Sequence, residues 1–371
     1  MPPLPAPDPG MFADDDLYAI AAGLCGGTVL AVAPILGGGN NRLYRVDTAA
    51  GRFALKCYGP LEARGDRLGN EFDGLRFLAA GGAVAAPAPI ATDRGRRMAL
   101  YEWIDGGPAN PAPADGIAQA LAFVAALRHA GDTRAAGWVG TATEACLSGA
   151  ELLRQIDSRL AALSLAPDLT GFLSEGVAPL RTLAGMRMAK LYADAGLDTS
   201  ADIPMAGRVL SPSDFGFHNA VRRPDGRLVF VDFEYFGWDD PVKLTADLPW
   251  HPGMTLSPDQ VCAWLAGTVA LFGQDPSFAV RLSAQIPLFG LRWCLIVLNE
   301  FLPERWLRRL AAGGSDLDWQ QAKATQLAKA RGILARVSKL AAIDDPPSLS
   351  SFQSPSWSPL WTTGPATSDS W

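Results

Sequence analysis

The chain has 371 residues, of which 49% are hydrophobic and 19% charged, and its formal net charge is −6. This length is too great for one compact core and suits two lobes, while the composition excludes a disordered chain. The acidic balance argues against a protein that binds nucleic acid through its overall charge. The five cysteines form no CxxC pair, which disfavours a zinc site or a disulfide framework and suits reduced thiols.

The N-terminus has no basic region followed by an apolar run, so a secretory signal is not expected. The most apolar stretch, residues 285–298, is interrupted by Pro287, Gly290 and Arg292. It is too short and too polar to span a bilayer, and a buried helix explains it better. We therefore expect a cytoplasmic protein without a membrane partner; the oligomeric state is left open.

The first part of the chain is mainly β in pattern. After a proline-rich stretch over residues 1–12, a short helix is predicted from Asp14 to about Gly23. Apolar spacing predicts one further helix over residues 70–80. The predicted strands cover residues 29–35, 42–48, 52–58, 90–92 and 97–103.

Beyond Gly107 the pattern becomes helical, with one predicted hairpin formed by residues 219–222 and 228–233 around a turn at 223–226. The predicted helices cover residues 115–130, 148–164, 174–195, 258–272, 278–301, 303–312 and 318–341. We therefore predict an α+β fold of two lobes. Its predicted parts are a flexible N-terminus with a short helix (1–24), a small β-rich lobe (25–104), a larger mainly helical lobe (105–342) and a disordered tail (343–371).

Three polar residues around the hairpin form the most informative pattern. Asn219 follows Asp214 by five residues, and Asp232 follows Asn219 by thirteen. This spacing resembles the protein-kinase arrangement, in which a catalytic-loop Asp is followed by an Asn and a strand pair then delivers a second Asp to the metals. Each residue alone would suit an ordinary turn or strand end, but the three together favour a functional site.

The residue types at these positions suit phosphoryl transfer. Mg²⁺ needs hard oxygen ligands, which the carboxylate of Asp232 and the amide of Asn219 can supply. Asp214 can orient an acceptor hydroxyl and accept its proton as catalytic base. Asp214-Phe215-Gly216 also spells the kinase DFG string, but that alignment would leave Asn219 without a role, so we interpret the string as a coincidence.

The segment resembles the aminoglycoside phosphotransferase and choline kinase superfamily, whose members carry a His-Gly-Asp-x4-Asn loop, then Asp-x-Glu and a Gly-x-x-Asp-Pro turn. The matching residues are Asp214, Asn219, Asp232, Glu234, Gly237, Asp240 and Pro241. The resemblance covers about residues 28–250. It implies a protein-kinase-like fold with a nucleotide-binding N-lobe, ATP or GTP as co-substrate, Mg²⁺, and a small-molecule hydroxyl as acceptor.

The chain departs from this pattern at two places. Pro212-Ser213 stand where the family has the His-Gly that supports the loop, which puts the loop geometry in question. Asp247 lies seven residues after Asp240, a longer gap than the family's, so its structural role carries over only weakly.

The expected nucleotide site lies in the N-lobe. A glycine-rich turn whose backbone can approach phosphates is formed by Gly37, Gly38, Gly39 and Asn40. Lys56 lies in an apolar strand, where its burial needs a charged partner, and the resemblance gives it the nucleotide phosphates. Glu71 is the expected partner, with Glu62 as the alternative. The backbone of Glu102 and Ile104 is the implied contact for the purine.

The acceptor is not identified by the sequence. Tyr235, Trp238, Trp250, His251 and Trp293 could line its site, although core packing is the simpler interpretation for each. His218 is interpreted as a packing or supporting residue, because Asp214 already fills the role of base.

Two other functions are consistent with parts of the pattern. One is a nucleotide-binding regulatory protein on the same fold without transferase activity, against which the joint presence of the lysine, acids and asparagine argues. The other is a protein kinase, which is disfavoured because no His-Arg-Asp or Ala-Pro-Glu string and no peptide-docking segment after Asp232 is recognisable.

Overall fold

The computed structural model describes residues 14–35, 41–59, 65–82, 85–133, 139–311 and 318–342. It has an α+β fold with a β-sheet N-terminal lobe and a larger, mainly helical C-terminal lobe. Several predicted features lie outside the described residues: Gly37, Gly38, Gly39, Asn40, Glu62 and the tail 343–371.

The N-terminal lobe contains an antiparallel sheet of five strands. In spatial order these are β1 (Val29–Ile35), β2 (Arg42–Thr48), β3 (Gly51–Cys57), β5 (Met98–Glu102) and β4 (Pro89–Asp93). Residues alternate between its two faces, as a pleated strand requires. Met98 and Leu100 of the strand β5 face a small core with Leu17, whereas Ala99 and Tyr101 face the larger core. The same lobe contains the helices α1 (Asp14–Cys25) and α2 (Arg67–Ala79).

The helices of the C-terminal lobe are α3 (Gly116–Thr133), α4 (Gly149–Leu163), α5 (Ala178–Asp194), α6 (Pro241–Trp250), α7 (Pro258–Phe272), α8 (Pro276–Ile296), α9 (Pro303–Ala311) and α10 (Trp319–Ala341). The lobe is organised around α8, which contacts α4, α5, α6 and α10. Its short strands are β6 (Gly107–Pro108), β7 (Val209–Ser211), β8 (Ala220–Arg222), β9 (Leu228–Phe230) and β10 (Gly237–Asp239).

The helical stretch Pro276–Phe301 is long and apolar enough to cross a membrane, by length and composition alone. Inside the fold, 89% of its most apolar window is buried by the protein. Such burial is typical of the central helix of a compact lobe. The stretch therefore serves as the core helix of this lobe.

Two small sheets position the polar residues of the C-terminal lobe. The β8–β9 hairpin is closed by a turn in which Gly226 N–H donates to Arg223 O at 2.9 Å, and β6 extends it beyond β8. A second antiparallel pair joins β10 to β7. These pairings bring together the ends of segments that are far apart in the sequence.

Candidate active site

A buried ion pair joins the central strand of the sheet to α2. Lys56 Nζ lies 2.6 Å from Glu71 Oε2 and 2.5 Å from Asp232 Oδ1. The hydroxyl of Tyr58 donates to the same Glu71 oxygen at 2.8 Å and lies 2.6 Å from the hydroxyl of Tyr101. Of the two candidate partners of Lys56, the structure brings Glu71 to it.

The carboxylates keep this lysine charged. Burial opposes the charge on Lys56, but nearby Asp232, Glu71 and Glu234 outweigh it and raise the lysine pKa well above its usual value. For Glu71, burial raises the carboxyl pKa even though Lys56 acts in the opposite direction. The cluster therefore holds a fixed positive charge where the two lobes meet.

Asn219 and Asp232 lie at the same end of the hairpin. Ala220 pairs with Phe230, and Val231 N–H donates to Asn219 O at 2.9 Å. Asp232 adopts a left-handed backbone with φ of 65°, which aspartate tolerates better than most residues. The predicted pair of oxygen ligands is therefore assembled by one strand pairing and one sharp turn.

The amide orientation of Asn219 fits a ligand role. Its Nδ2 donates to Asp214 O at 3.0 Å and lies 3.4 Å from Asp214 Oδ2. This leaves Oδ1 as the amide atom that does not engage Asp214. Together with the carboxylate of Asp232, it forms a donor set of hard oxygens suited to Mg²⁺.

Asp214 is anchored by its neighbour in sequence and approached by two histidines. Phe215 is buried against Phe123, at a ring distance of 5.5 Å. Asp214 Oδ1 lies 3.2 Å from His218 Nε2 and 3.5 Å from His251 Nε2. Burial opposes ionisation of Asp214. The hydrogen bond with His218 and the positive charge that His218, His251 and Lys243 can carry nevertheless lower the carboxyl pKa well below its usual value.

Ser213 ties the loop to a buried charge network. Its backbone is left-handed, with φ of 68°, and its hydroxyl donates to Thr143 O at 3.0 Å. Lys243 Nζ donates to the same hydroxyl at 3.0 Å and lies 3.0 Å from Asp239 and 3.2 Å from Asp247. Ser213 and the buried Lys243 thus hold the loop at the position where the chain lacks the His-Gly of the family's pattern.

Glu234 connects the two lobes beside this site. Its carboxylate accepts a hydrogen bond from Asn41 and lies 3.9 Å from Arg67. Its backbone oxygen accepts from Asn70 Nδ2 at 3.3 Å. The residue is buried, so its charge is compensated by polar groups from α2 and from the segment that enters β2.

The predicted purine contacts lie at the end of β5. The N–H of Glu102 donates to Ala88 O at 2.8 Å, so a purine contact of Glu102 has to use its carbonyl group. The carboxylate of Glu102 lies 2.7 Å from Arg223 Nη2. Ile104 follows in the segment that leads to β6.

Sequence reasoning weighed Asp247 as a structural residue and His251 as a lining residue, but it did not recognise that they belong to one row of supporting residues behind the site. Asp239, Lys243, Asp247 and His251 are spaced by four residues and share one face of α6 and its ends. This spacing is visible in the sequence and is the signal that could have identified the row. The tryptophans considered as possible lining residues, Trp238, Trp250 and Trp293, are buried in the core, which was the simpler interpretation of each.

The comparisons with solved structures agree with this fold. The chain is similar to the choline kinase LicA from Streptococcus pneumoniae, with a TM-score of 0.55 and 16% identity over 87% of this chain and 98% of that one. For a spectinomycin phosphotransferase in complex with ADP and spectinomycin, the TM-score is 0.59 at 11% identity, over 87% and 99% of the two chains. For an amicoumacin kinase in complex with AMP-PNP, Ca²⁺ and Ami, it is 0.54 at 14% identity, over 87% and 94%.

No curated protein matches the sequence at a significant level. A family model described as the phosphotransferase enzyme family matches residues 31–279, which is more than half of the chain. The chain belongs to the phosphotransferase enzyme family.

Proposed function

We propose that the protein is a small-molecule kinase that transfers the γ-phosphoryl group of ATP or GTP to a hydroxyl of a small metabolite or an aminoglycoside-like acceptor, with Asp214 as catalytic base. One observation carries this proposal: Lys56 is bound by both Glu71 and Asp232, at 2.6 and 2.5 Å. Asp232 in turn lies at the same end of the β8–β9 hairpin as Asn219. A protein on this fold without a catalytic function would not need a buried lysine, two carboxylates and an asparagine at one place.

In this mechanism the charge of Lys56 acts on the nucleotide phosphates and Glu71 holds the lysine in place. Asp214 accepts the proton of the acceptor hydroxyl as the hydroxyl oxygen forms its bond to the γ-phosphorus. The bond from the γ-phosphorus to the β,γ-bridging oxygen breaks, and the nucleoside diphosphate leaves with that electron pair. A lowered carboxyl pKa keeps Asp214 ionised, and so able to accept a proton, at neutral pH.

Asn219 and Asp232 would hold Mg²⁺, because they supply the amide and carboxylate oxygens that this ion prefers. When bound, the ion supplies positive charge to the phosphate oxygens. The amicoumacin kinase with AMP-PNP and Ca²⁺ and the spectinomycin phosphotransferase with ADP support a nucleotide and a divalent cation as partners. The nucleotide would lie between residues 25–104 and 105–342, in contact with the glycine-rich turn and the backbone of Glu102 and Ile104.

The acceptor would enter through a cleft of about 680 Å³ that reaches the proposed catalytic loop, residues 212–219, through Thr143 and is not lined by Asp214 itself. Thr143 lines this cleft, and its carbonyl accepts the hydroxyl hydrogen of Ser213, the residue before Asp214. Asn70 lines it from the N-terminal lobe. Among the described lining residues, glutamates and arginines balance in number and no aromatic ring occurs: Glu144, Glu151, Glu304, Arg154, Arg159 and Arg305. This lining favours a polar, hydroxyl-rich acceptor over a quaternary ammonium, which aromatic faces bind best.

The test is Mg²⁺-dependent phosphate transfer from ATP and GTP across a panel of sugars, amino sugars, amino alcohols, nucleosides and aminoglycosides. We expect transfer to one class of hydroxyl compounds. In the Asp214→Asn variant, turnover should fall by about 10²-fold or more while nucleotide binding persists, because the metal ligands remain. Turnover unchanged in this variant would rule out Asp214 as base. Nucleotide binding with no transfer to any acceptor would favour the alternative, a regulatory protein on the same fold.

A further inference from the structure

Two imidazole rings are stacked beside the carboxylate of Asp214. The rings of His218 and His251 have centroids 3.8 Å apart and planes within 8° of parallel. His218 belongs to the catalytic loop, whereas His251 follows α6 and comes from a different part of the lobe. Both present Nε2 to Oδ1 of Asp214, at 3.2 and 3.5 Å.

These three residues are close enough together to suggest a metal site, but the hydrogen bonding of His251 argues against one. Gly253 N–H donates to His251 Nδ1 at 3.0 Å. In the neutral ring, Nδ1 is then the acceptor and Nε2 carries the hydrogen. A metal-bound nitrogen must offer a lone pair, and Nε2, the nitrogen that faces Asp214, has none to offer.

The second nitrogen of the His218 ring, Nδ1, bears on what holds the ring in place. Its Nδ1 is buried, and no hydrogen-bond partner for it exists among the residues that the structure describes. A functional histidine is usually oriented by a hydrogen bond to its second nitrogen. Here that bond is missing, and the face of His251 is the large flat surface against which the ring rests.

His251 is itself fixed from several sides. Its backbone N–H donates to Asp247 O at 2.8 Å. The edge of Trp293 packs on the ring at a centroid distance of 4.4 Å and an angle of 75°, and its indole N–H donates to Asp247 Oδ1 at 2.7 Å. Burial lowers the pKa of His251 to about 3, so the stacked ring is neutral near pH 7.

We propose that His251 is a positioning residue that, by stacking on His218, holds the His218 imidazole against Oδ1 of Asp214. With Oδ1 engaged by the rings, the carboxylate presents Oδ2 to the acceptor hydroxyl. This inference rests on the proposed role of Asp214 as base.

The first measurement is phosphate release from Mg²⁺-ATP with water as the acceptor, in His251→Ala, His218→Ala and the double variant. We expect kcat to fall about tenfold or more in His251→Ala, because a misplaced catalytic group costs rate rather than affinity. The KM for ATP should stay within about twofold. Because His251 acts on Asp214 partly through His218, the loss in the double variant should be smaller than the product of the two single losses. Losses that multiply in the double variant would overturn the proposal.

The second measurement does not depend on turnover. The chain has only three histidines, so NMR signals of ¹⁵N-labelled imidazoles can be assigned by substitution. His251→Ala should shift the His218 signals. His251→Phe should have a higher kcat than His251→Ala and restore most of the wild-type value, because phenylalanine keeps a flat ring. His129→Ala, on α3, should change neither kcat nor these signals. Unchanged His218 signals in His251→Ala would contradict the proposal. A wild-type rate in Asp214→Asn would instead refute the proposed function, whatever the histidine variants show.

Discussion

Lys243 Nζ donates to Ser213 Oγ at 3.0 Å, so a helix behind the site holds the residue that precedes Asp214, the proposed base. The lysine is 1% exposed in its side chain and lies between Asp239 and Asp247. Burial opposes its charge, but these two carboxylates raise its pKa well above the usual value. Removing one member of a buried charge network leaves the charge of its partners uncompensated, which destabilises the fold.

Substitution of Lys243 by methionine should therefore destabilise the fold. The change removes the counter-charge of buried Asp239 and leaves Asp247 with Arg292 at 3.7 Å as its cation. Breaking a buried ion pair by removing one partner costs about 3–5 kcal/mol. Urea denaturation of the two proteins measures the loss. The matched control is Lys190→Met, because Lys190 pairs with Asp194 at the surface and is 75% exposed; its effect should be below about 1 kcal/mol. Equal stability of Lys243→Met and wild type would contradict the network's role.

The free energy of unfolding should depend on pH through the titration of His251. Burial lowers its pKa to about 3 from the ordinary value near 6.5, so between these values the unfolded chain binds a proton that the folded chain does not. The contribution of His251 to the free energy of unfolding is fully present above pH 6.5 and is lost as the pH falls towards 3. From pH 7.5 to pH 5 the loss from this group should be about 2 kcal/mol.

Denaturant unfolding of wild type and His251→Gln at several pH values isolates this contribution. Glutamine cannot bind the proton in either state, so the variant should lose about 2 kcal/mol less than wild type across the same interval. His129→Gln serves as the control for a histidine outside the site. If wild type and His251→Gln lose stability equally between pH 7.5 and 5, the ring is not held neutral by burial.

The sequence predicted most long elements because their patterns are local. The bounds of β2 match the predicted strand at 42–48, and those of α7 match the predicted helix at 258–272. The helix at 241–250 was missed because all ten of its residues are buried, so it has no polar face and no helical periodicity to detect. The three-residue strands β7 and β10 pair across a long separation in the sequence, and such short segments carry no pattern of their own.

Part of the site was predictable because several of its residues are close together in the sequence. Asp214, Asn219 and Asp232 lie close in sequence around one hairpin, so their spacing was informative. The pairing of Lys56 with Glu71 followed from the cost of burying a lone charge. The contact of His251 with His218 depends instead on where α6 ends in space, because no local rule places a residue 33 positions away against the catalytic loop.

The phenylalanine of the Asp-Phe-Gly string should act as the anchor of the catalytic loop. Phe215 packs against Phe230 at 4.8 Å and Trp264 at 6.0 Å between ring centroids, and it is buried. Phe215→Ala should cost about 3–5 kcal/mol of unfolding free energy through cavity formation, whereas Phe215→Leu should cost below about 2 kcal/mol. Thermal and urea unfolding provide the measurement. An alanine variant as stable as the leucine variant would mean that the loop is anchored elsewhere.

The ion pairs of Lys56 lead to the last prediction, which separates nucleotide positioning from proton transfer. Removal of the lysine charge in Lys56→Ala should lower kcat/KM for ATP by about 10²-fold or more, because the charge that acts on the phosphates is lost. Asp214→Asn should lower kcat with little change in the dissociation constant of ATP. Initial rates and calorimetric titrations at a temperature well below each variant's unfolding midpoint give both quantities.

Two companion variants make this comparison specific. Glu71→Gln keeps Lys56 and its 2.5 Å contact with Asp232 but removes one of the two carboxylates that hold the lysine. Its kcat/KM should therefore fall less than that of Lys56→Ala. Lys190→Ala, a surface lysine substitution, should leave both constants unchanged. If Lys56→Ala retained the wild-type kcat/KM for ATP, the nucleotide would have to bind elsewhere than beside the Lys56 and Glu71 pair, because a buried cation in contact with bound phosphates cannot be removed without loss of their stabilisation.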